Sequence, residues 1–204
     1  MVDKYTGNTY TLVRHGEAEN NVLGVLSSMG SQREYALTER GRQSVHETAA
    51  FLKQQSPDFL VASPVLRARQ TAEIIRTVLD IPLTIDTRLC EASFGSFEET
   101  KYQDFLEFMR VHGTRAIGAP EYGVEGYMDI RDRVRSFLLS TTAAFSGKNI
   151  VVVSHADTLQ EMYAELLGEP IGAEQSDGHW FPEKGSCLVV MRDGQHSFSP
   201  AASR

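Results

Sequence analysis

The four consecutive β-branched residues Ile150-Val151-Val152-Val153 constrain the fold of this chain more than any other feature. A strand with one wet face alternates apolar and polar side chains. This run does not alternate, so it predicts a central strand buried on both faces, as in parallel sheets covered by helices on each side. Tyr10–Val13, Phe59–Ala62, Pro82–Ile85 and Leu188–Met191 are further short apolar runs of strand character. Between them, apolar residues at 65, 68, 72, 75, 78 and 79 recur at helical spacing. So do 130, 134, 137, 138 and 145 with Thr141, and Arg131, Asp132 and Arg133 are expected to face away from the core. Thr38 ahead of Glu39 reads as the N-cap of another helix, running to about Gln54. Strands alternating with helices predict an α/β fold: three layers, α/β/α, around a mostly parallel central sheet.

The rest of the chain offers no second core. Its 204 residues, 41% hydrophobic and 23% charged and without an internal repeat, predict a single domain over 1–204. A formal net charge of −7 argues against a nucleic-acid partner, which needs a basic face, but leaves room for a small anion held by a few focused arginines. Cys90 and Cys187 are the only cysteines and have no metal-like spacing; together with a polar Met1–Tyr10 stretch they predict a cytoplasmic protein with reduced thiols. No apolar run approaches a membrane span in length, so no membrane association is expected. Oligomeric state leaves no trace in the sequence.

In sheets of this kind, ligands gather outside the carboxyl ends of the strands. Arg14 and His15 follow the first strand, Ser63 and Arg67 the second, and Ser154 and His155 the valine run. Two arginines and two histidines therefore converge on one edge. Arginine presents a planar fork of donors that matches phosphate oxygens, and a neutral imidazole can attack phosphorus if its other nitrogen is held by an acceptor. A carboxylic acid poised near neutrality completes such a site by protonating the leaving oxygen and then activating water. Glu17, Glu91 and Glu98 are all candidates for that role on chemistry alone. No His/Cys/Asp cluster is spaced to hold a metal, and no cofactor is implied.

Leu12-Val13-Arg14-His15-Gly16-Glu17, followed by Asn21, resembles the signature of the histidine phosphatase superfamily, in its phosphoglycerate-mutase-like branch. The likeness continues in order through Leu37–Gln43, Ser63–Ala72, Leu89-Cys90-Glu91 with Phe94-Gly95, and Val153-Ser154-His155. Five motifs in sequence are far more specific than Arg-His-Gly alone. The resemblance implies a metal-independent phosphomonoesterase acting through a phosphohistidine on a small phosphorylated substrate. His15 would be the nucleophile, and Arg14, Arg67, His155 and Asn21 would bind the phosphoryl group. Glu91 would be the acid and later the base.

Ala18, Phe97, Glu99, Ala156 and Lys184 depart from the family's usual residues without removing any of these groups. Two other functions compete. A phosphoglycerate-type mutase of this family typically carries Arg-His after the acid, where Ala92-Ser93 stand here. A non-catalytic module binding phosphorylated ligands would be expected to lose His15 or Glu91. The stretch 99–127 is glycine-rich toward its end and carries Tyr102, Phe105, Phe108, Tyr122 and Tyr127. It reads as a small helical or loop lid, with Arg110 and Arg115 as candidates for a second anionic group. His46, His112, His179 and His196 have no partner pattern and read as ordinary surface or packing residues.

Overall fold

The computed structural model describes residue 5 and residues 7–112, 115–171, 182–190 and 196–198; the side chains of 187–190 and 196–198 are excluded. Four parallel strands form the centre: β1 (Thr9–Arg14), β2 (Phe59–Ala62), β3 (Leu83–Ile85) and β4 (Asn149–Ser154). Two more, β5 (Cys187–Val190) and β6 (His196–Phe198), add antiparallel beside β1, giving the order β3-β2-β4-β1-β5-β6. The valine run lies in β4, between β2 and β1, and every residue from Ile150 to Val153 is fully buried. Met191, placed at the end of a strand by its pattern, and His179 lie outside the described residues.

Helices cover both faces. Val13, Leu60, Ala62, Val151 and Val153 pack with α2 (Glu39–Lys53) and α3 (Leu66–Leu79). Tyr10, Leu12, Val61, Ile150 and Val152 face the other way, onto α4 (Tyr102–His112), α5 (Tyr127–Ala144) and α6 (Ala156–Leu167). A short α1 (Glu19–Leu23) follows β1. The three-layer α/β/α fold follows from this period-two split of the strands. As expected, Thr38 caps α2, its side chain accepting from the Gly41 amide at 2.9 Å.

Of the three charged residues expected to face outward, only Asp132 does: the Arg133 side chain is 18% exposed, pairs with Glu125 and donates to the Thr158 hydroxyl of α6 at 3.2 Å. Arg131 does not face away from the core: its side chain is 3% exposed and donates to Glu161 on α6 at 2.6 Å. Helical periodicity assigns charge to the wet side, but here a buried carboxylate on the neighbouring helix gives the guanidinium a partner inside. Periodicity also leaves 156–167 unassigned, because the buried residues of α6 mix Thr158, Gln160, Glu161 and Glu165 with Leu159 and Met162. In the stretch read as a lid, Phe105, Val124 and Tyr127 join the core, while Tyr102 is half exposed. No helix among the described residues is long and apolar enough to cross a membrane.

Candidate active site

The parallel strands end at one edge, and a cavity of about 290 Å³ opens there. Arg14 and His15 continue β1, and His15 keeps the β1–β4 ladder going by donating its amide to the Ser154 carbonyl at 3.0 Å. The turn beyond is tight because Gly16 abuts Gly41. A Cβ on Gly16 would lie 2.7 Å from the Gly41 carbonyl oxygen, and one on Gly41 would overlap the backbone of Glu17. Only glycine allows the start of α2 to approach the His15 turn this closely. The hydroxyl of Thr71 on α3 accepts from the Gly16 amide at 3.1 Å and fixes the turn from the other side.

The hydrogen bonds specify both imidazole tautomers. Arg67, the second residue of α3, is 2% exposed, and its Nε donates to His15 Nε2 at 3.0 Å. A guanidinium can only donate, so His15 Nε2 is unprotonated and Nδ1 carries the hydrogen, which it donates to the Gly16 carbonyl at 2.8 Å. Arg67 Nη2 likewise meets His155 Nδ1 at 3.1 Å, which leaves His155 Nε2–H to donate to Ser63 Oγ at 2.8 Å. The two rings lie 5.1 Å apart. Burial, then the charges of Arg67 and Arg14, hold His15 well below the ordinary histidine value. His155 is lowered in the same direction by burial, Arg67 and His15. Burial lowers Arg67 to about 10, with Glu91 opposing, so it stays cationic at neutral pH. Two neutral imidazoles thus share one buried guanidinium.

The three open carboxylates sort by what surrounds them. Glu17 is bound outward, accepting from Thr38 Oγ1 at 2.8 Å and from Arg40 Nε at 3.1 Å. Glu98 is saturated: the Ser28 and Phe94 amides donate to it at 2.9 and 3.1 Å, as do the Ser31 hydroxyl at 2.7 Å and the Ser28 hydroxyl. Glu91 alone of the three lines the cavity. Its Oε1 accepts from the Ala92 amide at 3.0 Å and its Oε2 from Ala156, at the start of α6, at 3.2 Å. Burial, followed by the nearby Asp157, raises its carboxyl to about 7 despite Arg67 and Arg14. That value suits proton transfer in either direction at neutral pH.

Arg14, His15, Asn21, Arg67 and Glu91 all line the cavity, and His155 stands behind them through Arg67. Asn21 Oδ1 accepts from the Ala18 amide at 3.0 Å. Arg110 and Arg115 do not line it: Arg110 is exposed and paired with Glu107, and Arg115 is paired with Asp157. Pattern reading missed Ser27, whose carbonyl accepts from Arg67 Nη2 at 2.8 Å and whose hydroxyl accepts from Nη1 at 3.3 Å. A backbone acceptor leaves no residue-type signal. Glu98 ties the Ser28–Ser31 segment beside Ser27 to the loop that carries Glu91.

Comparison with known proteins agrees with this geometry. The family model described as "Histidine phosphatase superfamily (branch 1)" matches residues 10–198. An adenosylcobalamin/alpha-ribazole phosphatase of Salmonella typhimurium is 31% identical over 163 residues, covering 78% of this chain and 79% of that relative. A probable phosphoglycerate mutase of Salmonella choleraesuis is 29% identical over 170 residues, covering 80% and 77%. Among solved structures, a mycobacterial glucosyl-3-phosphoglycerate phosphatase in complex with VO3 superposes with a TM-score of 0.77 at 22% identity, covering 94% of this chain and 97% of that one; at this identity the likeness is one of fold.

Proposed function

The chain belongs to branch 1 of the histidine phosphatase superfamily, and we propose that it hydrolyses phosphate monoesters of small molecules in two steps through a phosphohistidine on His15. The observation that carries this reading is the pair of assigned tautomers around Arg67. A neutral His15 keeps Nε2 unprotonated, its lone pair accepting from Arg67 Nε until a phosphoryl group takes that donor over, while its Nδ1–H is held by the Gly16 carbonyl.

The phosphoryl group enters over Nε2, and its oxygens take over donors of Arg67 and Arg14, with Asn21 and His155 beside them. Nε2 attacks phosphorus, the bond to the ester oxygen breaks, and Glu91 gives its proton to that oxygen, so the alcohol leaves. A water then attacks the phosphohistidine and loses its proton to the Glu91 carboxylate. The P–N bond breaks, returning neutral His15 and inorganic phosphate. The arginines supply the charge that phosphoryl transfer needs, which supports a reaction without metal. The free thiol of Cys90, beside the acid, supports a reducing, cytoplasmic setting. A phosphoglycerate-type mutase is the second reading, favoured by the probable mutase among the relatives. Ala92 and Ser93 speak against it, because neither supplies a cation for the carboxylate of such a substrate.

The test is turnover of an aryl phosphate in the presence of a chelator. Wild type should turn over, and His15→Ala, with an unchanged circular dichroism spectrum, should not. Full activity in His15→Ala removes the mechanism.

A further inference from the structure

The wall around the leaving-group side of the cavity is unlike its phosphoryl end. Val25, Leu26, Phe94 and Tyr102 make it largely apolar, and Asp157, the second residue of α6, puts a carboxylate into it. Asp157 has a cationic partner, Arg115, but Arg115 is not part of the cavity wall. It is held away by Tyr127, whose hydroxyl accepts from its Nε at 3.1 Å, and it lies over the rings of Tyr127 and Phe105, at 4.7 and 5.2 Å from their centroids. A ligand in the cavity therefore meets the carboxylate, with the cation fixed behind it. The remaining cation of the wall among the described residues, Lys184, precedes Gly185, whose amide donates to the Arg14 carbonyl at 3.1 Å. It thus serves the phosphoryl end. The Ala156 amide donates to Glu91 Oε2 at 3.2 Å, so Asp157, the next residue of α6, stands beside the acid, on the side on which the ester oxygen leaves.

We propose that Asp157, set against the apolar wall of Leu26, Phe94 and Tyr102, is a specificity residue selecting esters whose leaving group is partly apolar and bears a hydroxyl or an ammonium, and rejecting those with a second anionic group. The inference rests on the phosphomonoesterase reading above and narrows it. A hydroxyl or ammonium on the leaving group can donate to Asp157. A carboxylate there is brought against a like charge beside a largely apolar wall.

Glycerol phosphate and 3-phosphoglycerate make a matched pair, differing in a hydroxymethyl group against a carboxylate. Wild type should favour glycerol phosphate in kcat/KM by about tenfold or more, and Asp157→Asn should bring the ratio to within about threefold. Asp157→Glu should restore the preference. Changing Asp157 also shifts the acidity of Glu91, but that acts on both esters alike, so the ratio isolates specificity. If Asp157→Asn does not fold, wild type still decides the matter, because rejection of the carboxylate requires glycerol phosphate to exceed 3-phosphoglycerate in kcat/KM. Equal kcat/KM on the two esters in wild type, or an unchanged ratio in Asp157→Asn, overturns the inference while leaving the hydrolase reading intact. Absence of turnover on every ester, aryl phosphates included, overturns both.

Discussion

Replacing Glu91 by Gln should remove a titration from both catalysis and stability, and its size follows from the site. Burial and Asp157 raise the carboxyl from 4.5 to about 7, which corresponds to about 3 kcal/mol against the ionised form. In catalysis the protonated form is the active one for alcohol release. Wild-type kcat/KM on an alkyl phosphate should therefore fall about tenfold per pH unit above about 7. Glu91→Gln should lack that limb and lie about 10²- to 10⁴-fold lower on the alkyl ester. On an aryl ester, whose phenolate leaves without a proton, it should lose less than about tenfold. Because kcat/KM covers only the steps up to alcohol release, slow hydrolysis of the phosphoenzyme does not enter it.

In stability the folded value lies above the unfolded one, so between pH 4.5 and about 7 the folded state binds more protons. The advantage is complete below 4.5 and is lost as pH rises through about 7. Urea unfolding of wild type and Glu91→Gln across this window should show wild type losing about 3 kcal/mol relative to the variant, with a plateau above. The hydrogen bond that Gln cannot make is a constant offset and does not alter the slope. A flat difference would show that Glu91 titrates as an ordinary carboxylate. Equal losses on alkyl and aryl esters would show that it is not the acid.

Other positions carry separate expectations. Glu98→Ala leaves the Ser28 and Phe94 amides without their acceptor; it should cost about 2–4 kcal/mol in urea unfolding and lower kcat about tenfold, with partial recovery in Glu98→Gln. Stability loss with unchanged kcat would detach Glu98 from the placement of Arg67 and Glu91. Gly41→Ala drives a methyl group into the Glu17 backbone; a loss of about 2–3 kcal/mol in unfolding free energy should be accompanied by loss of turnover, because the His15 turn must move. Arg131→Met removes the guanidinium that pairs with the buried Glu161 carboxylate; the melting temperature should fall with a loss of about 3–5 kcal/mol, while kcat/KM at a temperature where the variant is folded stays near wild type.

What the sequence could reveal depended on whether the physics was local. The two-sided burial of Ile150–Val153 is written in four side chains, and with it the parallel sheet and the edge where Arg14, His15, Arg67 and His155 converge. The state of a carboxylate is not local. Glu17, Glu91 and Glu98 are the same residue type, and they differ through Thr38 and Arg40, through Ala92 and Ala156, and through Ser28, Ser31 and Phe94. The same holds for Arg131, whose burial follows from Glu161 thirty positions along the chain, and for Ser27, which acts on Arg67 largely through a carbonyl. Pairings between distant polar groups were invisible for that reason, whereas apolar period and motif order were not.

The central claim is that phosphorus becomes bonded to His15 Nε2. Glu91→Gln, mixed with an aryl phosphate and quenched in alkali within one turnover, should accumulate the phosphoenzyme because the base for its hydrolysis is missing. Peptide mass spectrometry should then place one acid-labile phosphoryl group on His15, with none in the His15→Ala, Glu91→Gln double variant. Phosphate on another residue, or the same label in the double variant, would contradict the account.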